Sequence, residues 1–138
     1  MGSRAHKRLQ EGGPRFDATA QEVQDLIARF FAAVSAEDFE SARRLFAPNA
    51  VAISDGGRKA RAARRILVGP DDIVHVLAAV WRRAAQEDNW TLEPCVSNGK
   101  PGMVRRVNGG VDFIMTLAPA PSGDVGWLYV MRNPDKLP

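Results

Sequence analysis

The sequence predicts one α+β domain in which three helices pack on one face of a curved, mainly antiparallel sheet. The first supporting observation is length, since 138 residues fit one domain that can bury a core without disulfides or metal. The second is hydrophobic period, which is helical in three early segments and changes to two after the last of them. The segment order is helix, helix, short hairpin, helix and antiparallel meander, and a sheet of this kind commonly curls around its helices as a cone with a pocket.

Apolar residues at helical spacing predict two helices in the first third of the chain. Thr19 and Glu22 form a capping-box pattern, and the apolar residues that follow predict a first helix over residues 20–35. Acidic residues from Glu37 onward then begin a second, shorter helix, which we expect to end at Pro48-Asn49.

A short hairpin is expected next. Val51 and Ile53 form its first strand, and Ala60 and Ala62 its second, because the Asp55-Gly56-Gly57 segment readily supplies the positive φ angles of a tight turn.

The segment after Gly69-Pro70 predicts a third helix followed by four strands. Asp71 or Asp72 is expected to cap the helix. Its apolar face comprises Ile73, Val76, Leu77, Val80, Trp81 and Ala84. Turn residues then separate four segments of alternating pattern, which predict strands at Trp90–Val96, Met103–Val107, Val111–Ala118 and Val125–Arg132.

The formal charge of +3 is concentrated at the start of the chain. Residues 1–15 contain four basic residues and one acidic residue, whereas the rest of the chain contains fifteen of each. Because phosphate binding needs a clustered basic face, we expect the folded domain not to contact DNA directly. One cluster without intervening acids remains, and it consists of Arg58, Lys59, Arg61, Arg64 and Arg65.

Cysteine content and hydropathy indicate a cytoplasmic protein. A single cysteine, Cys95, excludes an internal disulfide and favours a reducing compartment. The sequence has no window of eighteen uncharged apolar residues, so neither a signal peptide nor contact with a membrane is expected.

Titratable residues form no recognisable catalytic or metal-binding pattern, so we predict no enzyme, no cofactor and no metal. His75 falls outside the apolar face of the third helix and is expected in solvent, while His6 lies in the basic leader. Cys95 is expected to be a buried structural thiol. Asp112 is either a buried base or an exposed edge carboxylate.

Large side chains at alternate strand positions are candidates for the wall of a pocket that takes a small hydrophobic ligand. These are Phe113 and Met115 on one strand and Trp127 and Tyr129 on the next, with Trp81 and Trp90 at the mouth. The alternative interpretation is that the same residues simply fill the core, as large aromatic residues generally do.

Two short motifs carry more information about function. Ser54-Asp55-Gly56-Gly57-Arg58-Lys59 predicts either a flexible loop that docks an acidic partner or a plain turn. Asn133-Pro134-Asp135-Lys136-Leu137-Pro138 begins as a turn or a single helical turn, and this tail can lie back on the domain through Leu137.

Together the two motifs resemble the C-terminal extension of a group of extracytoplasmic-function sigma factors. Three other segments share the resemblance, namely Ala62-Ala63-Arg64-Arg65, Gly69-Pro70-Asp71-Asp72 and Pro101-Gly102-Met103-Val104. The family signatures are Asp-Gly-Gly-Gly-Lys and Asn-Pro-Asp-Lys-Leu. The second is intact in this chain, whereas the first has Arg58 in place of its third glycine. The resemblance covers residues 16–137.

This resemblance implies a SnoaL-like fold, related to nuclear transport factor 2-like proteins and polyketide cyclases. It divides the chain into a basic leader at 1–15, which resembles the remnant of a promoter-binding domain, a SnoaL-like domain at 16–132 and a motif tail at 133–138. The implied function is regulation in cis, through contacts with the sigma DNA-binding domains or their linker, of a factor that works with the RNA polymerase core. The implied contact residues are Asp55, Gly56, Gly57, Lys59, Asn133, Pro134, Asp135, Lys136 and Leu137.

Two alternatives remain open. One is a stand-alone SnoaL-like enzyme or carrier for a hydrophobic small molecule, with Asp112 or Asp55 as base and a cyclase- or isomerase-like activity. The other is an assembly module that forms a homodimer through the outer face of the sheet.

Overall fold

The computed structural model describes residues 17–55 and 65–132, which form three helices on one face of a six-stranded sheet. The helices are α1 (Ala20–Ser35), α2 (Phe39–Arg44) and α3 (Pro70–Ala85). The strands are β1 (Phe46–Asp55), β2 (Arg65–Val68), β3 (Trp90–Ser97), β4 (Lys100–Val107), β5 (Gly110–Pro119) and β6 (Val125–Arg132). Their order is β2-β1-β6-β5-β4-β3, and every pair is antiparallel except β1 with β6. The predicted fold class is confirmed. None of the helices in the described ranges is both long and apolar enough to cross a membrane.

Helix α1 has the predicted boundaries because its capping box forms. The Glu22 amide donates a hydrogen bond to Thr19 Oγ1 at 3.1 Å, and the Thr19 amide donates to Glu22 Oε1 at 3.0 Å. These bonds satisfy amides that the first helical turn leaves without intrahelical partners. The buried face that packs on the sheet comprises Val23, Leu26, Ile27, Phe30 and Val34.

Helix α2 is shorter than predicted. It ends at Arg44, and Phe46 already begins β1, so the predicted helix end at Pro48-Asn49 is wrong. The start of the helix is fixed by Asp38, which accepts hydrogen bonds from the backbone amide and the hydroxyl of Ser41 at 3.2 and 2.7 Å. These bonds stabilise the ionised carboxylate and lower the pKa of Asp38.

Strand β1 pairs with a later segment than the predicted hairpin partner. Ser54 pairs with Arg65, so the predicted pairing of β1 with a strand through Ala60 and Ala62 is wrong. A tight turn at Asp55-Gly56-Gly57 cannot join strands in this register, because ten residues separate the paired positions. The partner strand is β2, which contains the apolar, β-forming residues Ile66, Leu67 and Val68. Residues 56–64 lie outside the described part of the chain.

Helix α3 starts earlier than its predicted caps. Gly69 is the N-cap, with a φ of 92°, and Pro70 takes a first-turn position where its missing amide hydrogen costs no intrahelical bond. Asp71 and Asp72 therefore lie inside the first turn and cap nothing, although their charges still favour the helix start.

The predicted meander is confirmed, and its first two turns are asparagine-glycine pairs. Asn98-Gly99 connects β3 to β4, and Asn108-Gly109 connects β4 to β5. All four residues have positive φ, as a type I′ turn requires. The strands next to these turns are therefore longer than predicted: β3 extends to Ser97, β4 begins at Lys100 and β5 begins at Gly110.

The hydrophobic core lies between the helices and the face of the sheet that they cover. Phe30 of α1 is 1% exposed and lies near its centre. The rings of Phe31 and Phe46 meet the Phe30 ring edge-on, with centroid distances of 5.1 and 5.9 Å. Met115 and Leu128 contribute to the same core from the sheet.

Replacing Phe30 by alanine is expected to lower the free energy of unfolding by about 3–5 kcal/mol, because the change removes a fully buried ring and leaves a cavity. Urea unfolding followed by circular dichroism measures this loss. Val96→Ala is the control, since Val96 is 75% exposed and its loss should stay within about 0.5 kcal/mol. Equal losses for the two variants would contradict the central position of Phe30.

Candidate functional site

A cavity of about 330 Å³ lies between α1, α3 and the sheet. Its walls are mostly apolar, with Phe31 contributed by α1 and Leu77 by α3. The volume falls at the lower end of the range of about 300–1,000 Å³ that is typical of small-molecule sites. The cavity is therefore large enough for a small apolar ligand.

Trp81, Phe113 and Met115, three of the six residues expected in a pocket, line this cavity. Trp90 does not line the cavity but packs edge-on against Trp81, with a centroid distance of 5.9 Å. Trp90 thus supports a wall residue without lining the cavity itself.

Trp127 and Tyr129 lie on the opposite face of β6, which corrects their expected place in the pocket. Paired residues share a face, and Met115, which lines the cavity, pairs with Val130. Positions 127 and 129 alternate with it and face away. Their rings stack on each other at 5.5 Å, and the Tyr129 hydroxyl donates to Asp55 Oδ2 at 3.5 Å.

The polar end of the cavity is built on Arg105, a buried cation that is not among the predicted site residues. Its side chain is only 5% exposed, and it donates to Asp112 Oδ2 at 2.7 Å and to the carbonyl oxygen of Ala84 at 2.8 Å. Glu87 Oε1 lies 2.9 Å from the same guanidinium, whose carbon is 5.6 Å from the ring centroid of Trp90. These contacts offset the cost of burying a charge.

Asp112 reaches the cavity because β5 has a bulge. Strand β5 advances two residues, from Val111 to Phe113, where β4 advances one, so Asp112 is the extra residue. Bulges change the direction of a side chain, and Asp112 lines the cavity beside Phe113 despite its opposite parity. Its side chain is 12% exposed, and its Oδ1 lies 3.7 Å from Nη2 of Arg132. Of the two placements left open for Asp112, the largely buried one is observed.

Strand alternation is the signal that identifies the cations missed by the sequence analysis. Met103 and Arg105 share one face of β4, and Met103 packs against the core. Val130 and Arg132 share one face of β6, and both line the cavity. Once strand pairing shows which face the helices cover, the same alternation places both arginines on the helix side of the sheet.

The two sequence motifs begin at adjacent strand ends. Asp55, the last residue of β1, pairs with Met131 on the parallel strand β6, which ends at Arg132. Ser54 and Arg132 also line the cavity. The other predicted contact residues, Gly56, Gly57, Lys59, Asn133, Pro134, Asp135, Lys136 and Leu137, lie outside the described residues, as does His6.

His75 and Cys95 do not contribute to this site. His75 is exposed on α3, as the apolar pattern of that helix predicted. Cys95 is only half-buried on β3, which corrects its predicted full burial, but this partial burial still raises the pKa of its thiol above the ordinary value of 9.0. A thiol with a raised pKa is a weak nucleophile at neutral pH, so a structural position fits it better than a catalytic one.

Replacing Arg105 by glutamine is expected to lower the free energy of unfolding by about 3–5 kcal/mol, because it breaks a buried ion pair from one side. Chemical unfolding measures the loss. Arg106→Gln is the matched control, since Arg106 is partly exposed and lies 3.5 Å from Glu93, a pair expected to contribute less than about 1 kcal/mol. Losses below about 1 kcal/mol in both variants would show that Arg105 does not organise the site.

The reactivity of Cys95 should depend on folding and on pH. Because the pKa is raised in the folded state, the thiolate fraction at pH 8 is smaller in the folded protein than in the unfolded chain. Reaction with 5,5′-dithiobis(2-nitrobenzoate) at pH 8 should therefore be slower in buffer than in denaturant. The raised pKa also means that the protonated Cys95 thiol contributes to the stability of the folded protein. This contribution is complete below the unfolded pKa near 9 and is lost as pH rises through the folded pKa. Equal rates with and without denaturant would contradict this environment for Cys95.

Many solved structures share the fold, and three of them illustrate the range. The extracytoplasmic-function sigma factor SigJ of Mycobacterium tuberculosis matches with a TM-score of 0.64 and 22% identity, over 98% of this chain and 48% of that one. This chain thus spans about half the length of that sigma factor. A SnoaL-like protein of unknown function from Burkholderia thailandensis matches with a TM-score of 0.59 and 13% identity, over 82% and 96% of the two chains. An NTF2-like protein of unknown function from Cytophaga hutchinsonii matches with a TM-score of 0.52 and 14% identity, over 83% and 92%.

These likenesses at low identity establish the fold, and sequence comparison supplies the family. No curated protein matches the chain. The family model for the SnoaL-like domain matches residues 27–132, which include all three helices in whole or part and every strand described above. Since this match covers well over half of the sequence, the chain belongs to the SnoaL-like domain family.

Proposed function

We propose that this chain is the regulatory domain of an extracytoplasmic-function sigma factor and acts in cis on the sigma DNA-binding domains or their linker. The observation that carries the proposal is the similarity to the M. tuberculosis sigma factor over 98% of this chain and about half of that one. The intact Asn-Pro-Asp-Lys-Leu segment at residues 133–137 supports the same assignment. On this proposal, RNA polymerase core is a partner through the sigma domains rather than through the SnoaL-like domain.

The strand ends give the proposal a geometric basis. Because Asp55 and Met131 are paired on parallel strands, the chain enters residues 56–59 and 133–137 from neighbouring positions. Two segments that start side by side can contribute to a single contact surface. Tethering within one polypeptide supplies a high effective concentration, so neither segment needs to bind strongly on its own.

The charge distribution supports a SnoaL-like domain that contacts protein and sigma domains that contact DNA. Residues 16–138 carry equal numbers of basic and acidic residues, whereas the basic excess lies in residues 1–15. Non-specific binding to DNA scales with the number of phosphates neutralised by lysine and arginine. The SnoaL-like domain is thus suited to contact protein, and DNA contacts are left to the sigma domains.

Deleting residues 133–138 from the full-length sigma factor is expected to change promoter-directed transcription, because the deletion removes one of the two proposed contact segments. Run-off transcription with purified polymerase measures the effect, and thermal unfolding checks that the shortened domain still folds. The control replaces Pro121 and Ser122 by alanine, since both are exposed in the turn at the other end of β6. Transcription equal to that of the intact factor, with the fold retained, would reject the regulatory role of the tail.

A second candidate function is a stand-alone enzyme or carrier for a hydrophobic small molecule. The observation that favours it is a mostly apolar cavity with the Asp112 carboxylate in its wall. A carboxylate in such a place is suited to general-base chemistry. This candidate predicts that Asp112→Asn abolishes turnover while binding of the apolar ligand is retained. The coding sequence upstream of this chain separates the two candidates, because sigma domains encoded in the same reading frame support regulation and their absence supports the stand-alone protein.

A further inference from the structure

The charged residues of the cavity identify the class of ligand that it would take, independently of the proposed regulatory function. Within the described part of the chain, the lining carries three cations and two anions, and almost all other lining residues are apolar. The charged residues are Arg83, Arg105, Arg132, Glu87 and Asp112. The lining therefore has a formal excess of one positive charge.

Arg105 is not available to bind an anionic ligand. Its two terminal nitrogens contact Asp112, Glu87 and the carbonyl oxygen of Ala84, and its side chain is almost fully buried. The guanidinium is engaged within the protein. Its positive charge also neutralises Asp112, which lowers the repulsion that Asp112 would exert on an anion in the cavity.

Arg83 is not paired with Glu87, the acidic residue that follows it by four positions. Helix α3 ends at Ala85, so Glu87 lies in the loop that follows the helix. Glu87 instead lies 2.9 Å from Arg105. Among the residues that the structure describes, none forms a hydrogen bond or ion pair with the Arg83 guanidinium.

Arg132 is also only partly engaged. Its one ion pair with a described residue is the 3.7 Å contact to Asp112, which is longer than a good hydrogen bond, and its side chain is 48% exposed. A guanidinium carries five N–H donors in a planar fork that suits a carboxylate or phosphate group. Arg83 and Arg132 therefore contribute to one apolar cavity two guanidinium groups whose N–H donors are not all engaged by the described residues.

We propose that the cavity binds an apolar molecule that carries a single anionic group. The apolar part lies against the walls formed by Phe31, Leu77 and Trp81. The anionic group lies at the end of the cavity lined by Arg83 and Arg132 and accepts hydrogen bonds from their guanidinium groups.

Two fluorescent probes with the same aromatic rings test this proposal on the purified chain. 1-Anilinonaphthalene-8-sulfonate carries an anionic sulfonate, whereas N-phenyl-1-naphthylamine lacks it. We expect the sulfonate probe to bind about three- to tenfold more tightly, which corresponds to roughly 1 kcal/mol for a half-exposed charge-assisted contact. Arg83→Gln and Arg132→Gln should each reduce this preference, and the double variant should abolish it while binding of the neutral probe stays within about twofold.

Matched controls separate this site from general surface charge. Arg82 precedes Arg83 on α3 but does not line the cavity, since it packs over the Phe39 ring at 5.3 Å and lies 3.8 Å from Glu37. Arg82→Gln should leave the preference unchanged. Leu77→Trp, which narrows the cavity, should weaken binding of both probes, with circular dichroism reporting the fold.

Three outcomes overturn the proposal. They are no binding of either probe, equal affinity for the two probes, and a preference for the anion that survives in the double variant. None of these measurements involves transcription, so failure of the ligand site and failure of the regulatory function are observed separately.

Discussion

The buried guanidinium of Arg105 is the interaction on which the arrangement of the site depends. It contacts the last turn of α3 through the carbonyl of Ala84, the following loop through Glu87, β3 through the ring of Trp90 and the β5 bulge through Asp112. A buried ion pair adds little net stability relative to well-packed apolar residues, but it has a strict geometry. These contacts hold the end of α3 to the sheet through polar groups, and the cavity lies directly beside them.

Strand topology adds a second constraint. Because β1 and β6 are parallel, their carboxyl ends meet at the same edge of the sheet, with Asp55 beside Met131. All other pairs among the described strands are antiparallel, so this parallel pair is what places Asp55 and Arg132, where the two sequence motifs begin or follow, at neighbouring strand ends. Asp55 and Met131, which are 76 positions apart in the sequence (131 − 55), are thus adjacent in the fold.

Local signals predicted the parts of the fold that short-range contacts determine. The capping box at Thr19 set the start of α1, and asparagine-glycine pairs such as Asn98-Gly99 set the hairpins of the meander. In each case the stabilising contacts lie within a few residues of one another, so the sequence window contains the information.

Long-range contacts were harder to predict for the same physical reason. Alternation shows that Trp127 and Tyr129 share a face of β6, but which face is buried depends on the pairing with β5. The position of Asp112 depends on a bulge, which reverses the parity of a strand by one residue. The pairing of Ser54 with Arg65 is a choice among registers that the glycine-rich segment between them does not specify. The fold class does not depend on these details, because it follows from the order of the elements.

Arg132 occupies the position where the cavity and the tail meet. Its side chain lines the cavity and lies near Asp112, while its backbone ends β6 and immediately precedes residue 133. A ligand changes a regulatory equilibrium only by the difference between its affinities for the two states. An anion bound at Arg132 would differ in affinity between the two states only if docking of the tail moves this strand end or changes the charges around it. On the two proposals above, an anionic ligand therefore has a route to the tail through Arg132, whereas a neutral apolar ligand contacts the walls and has no contact with this strand end.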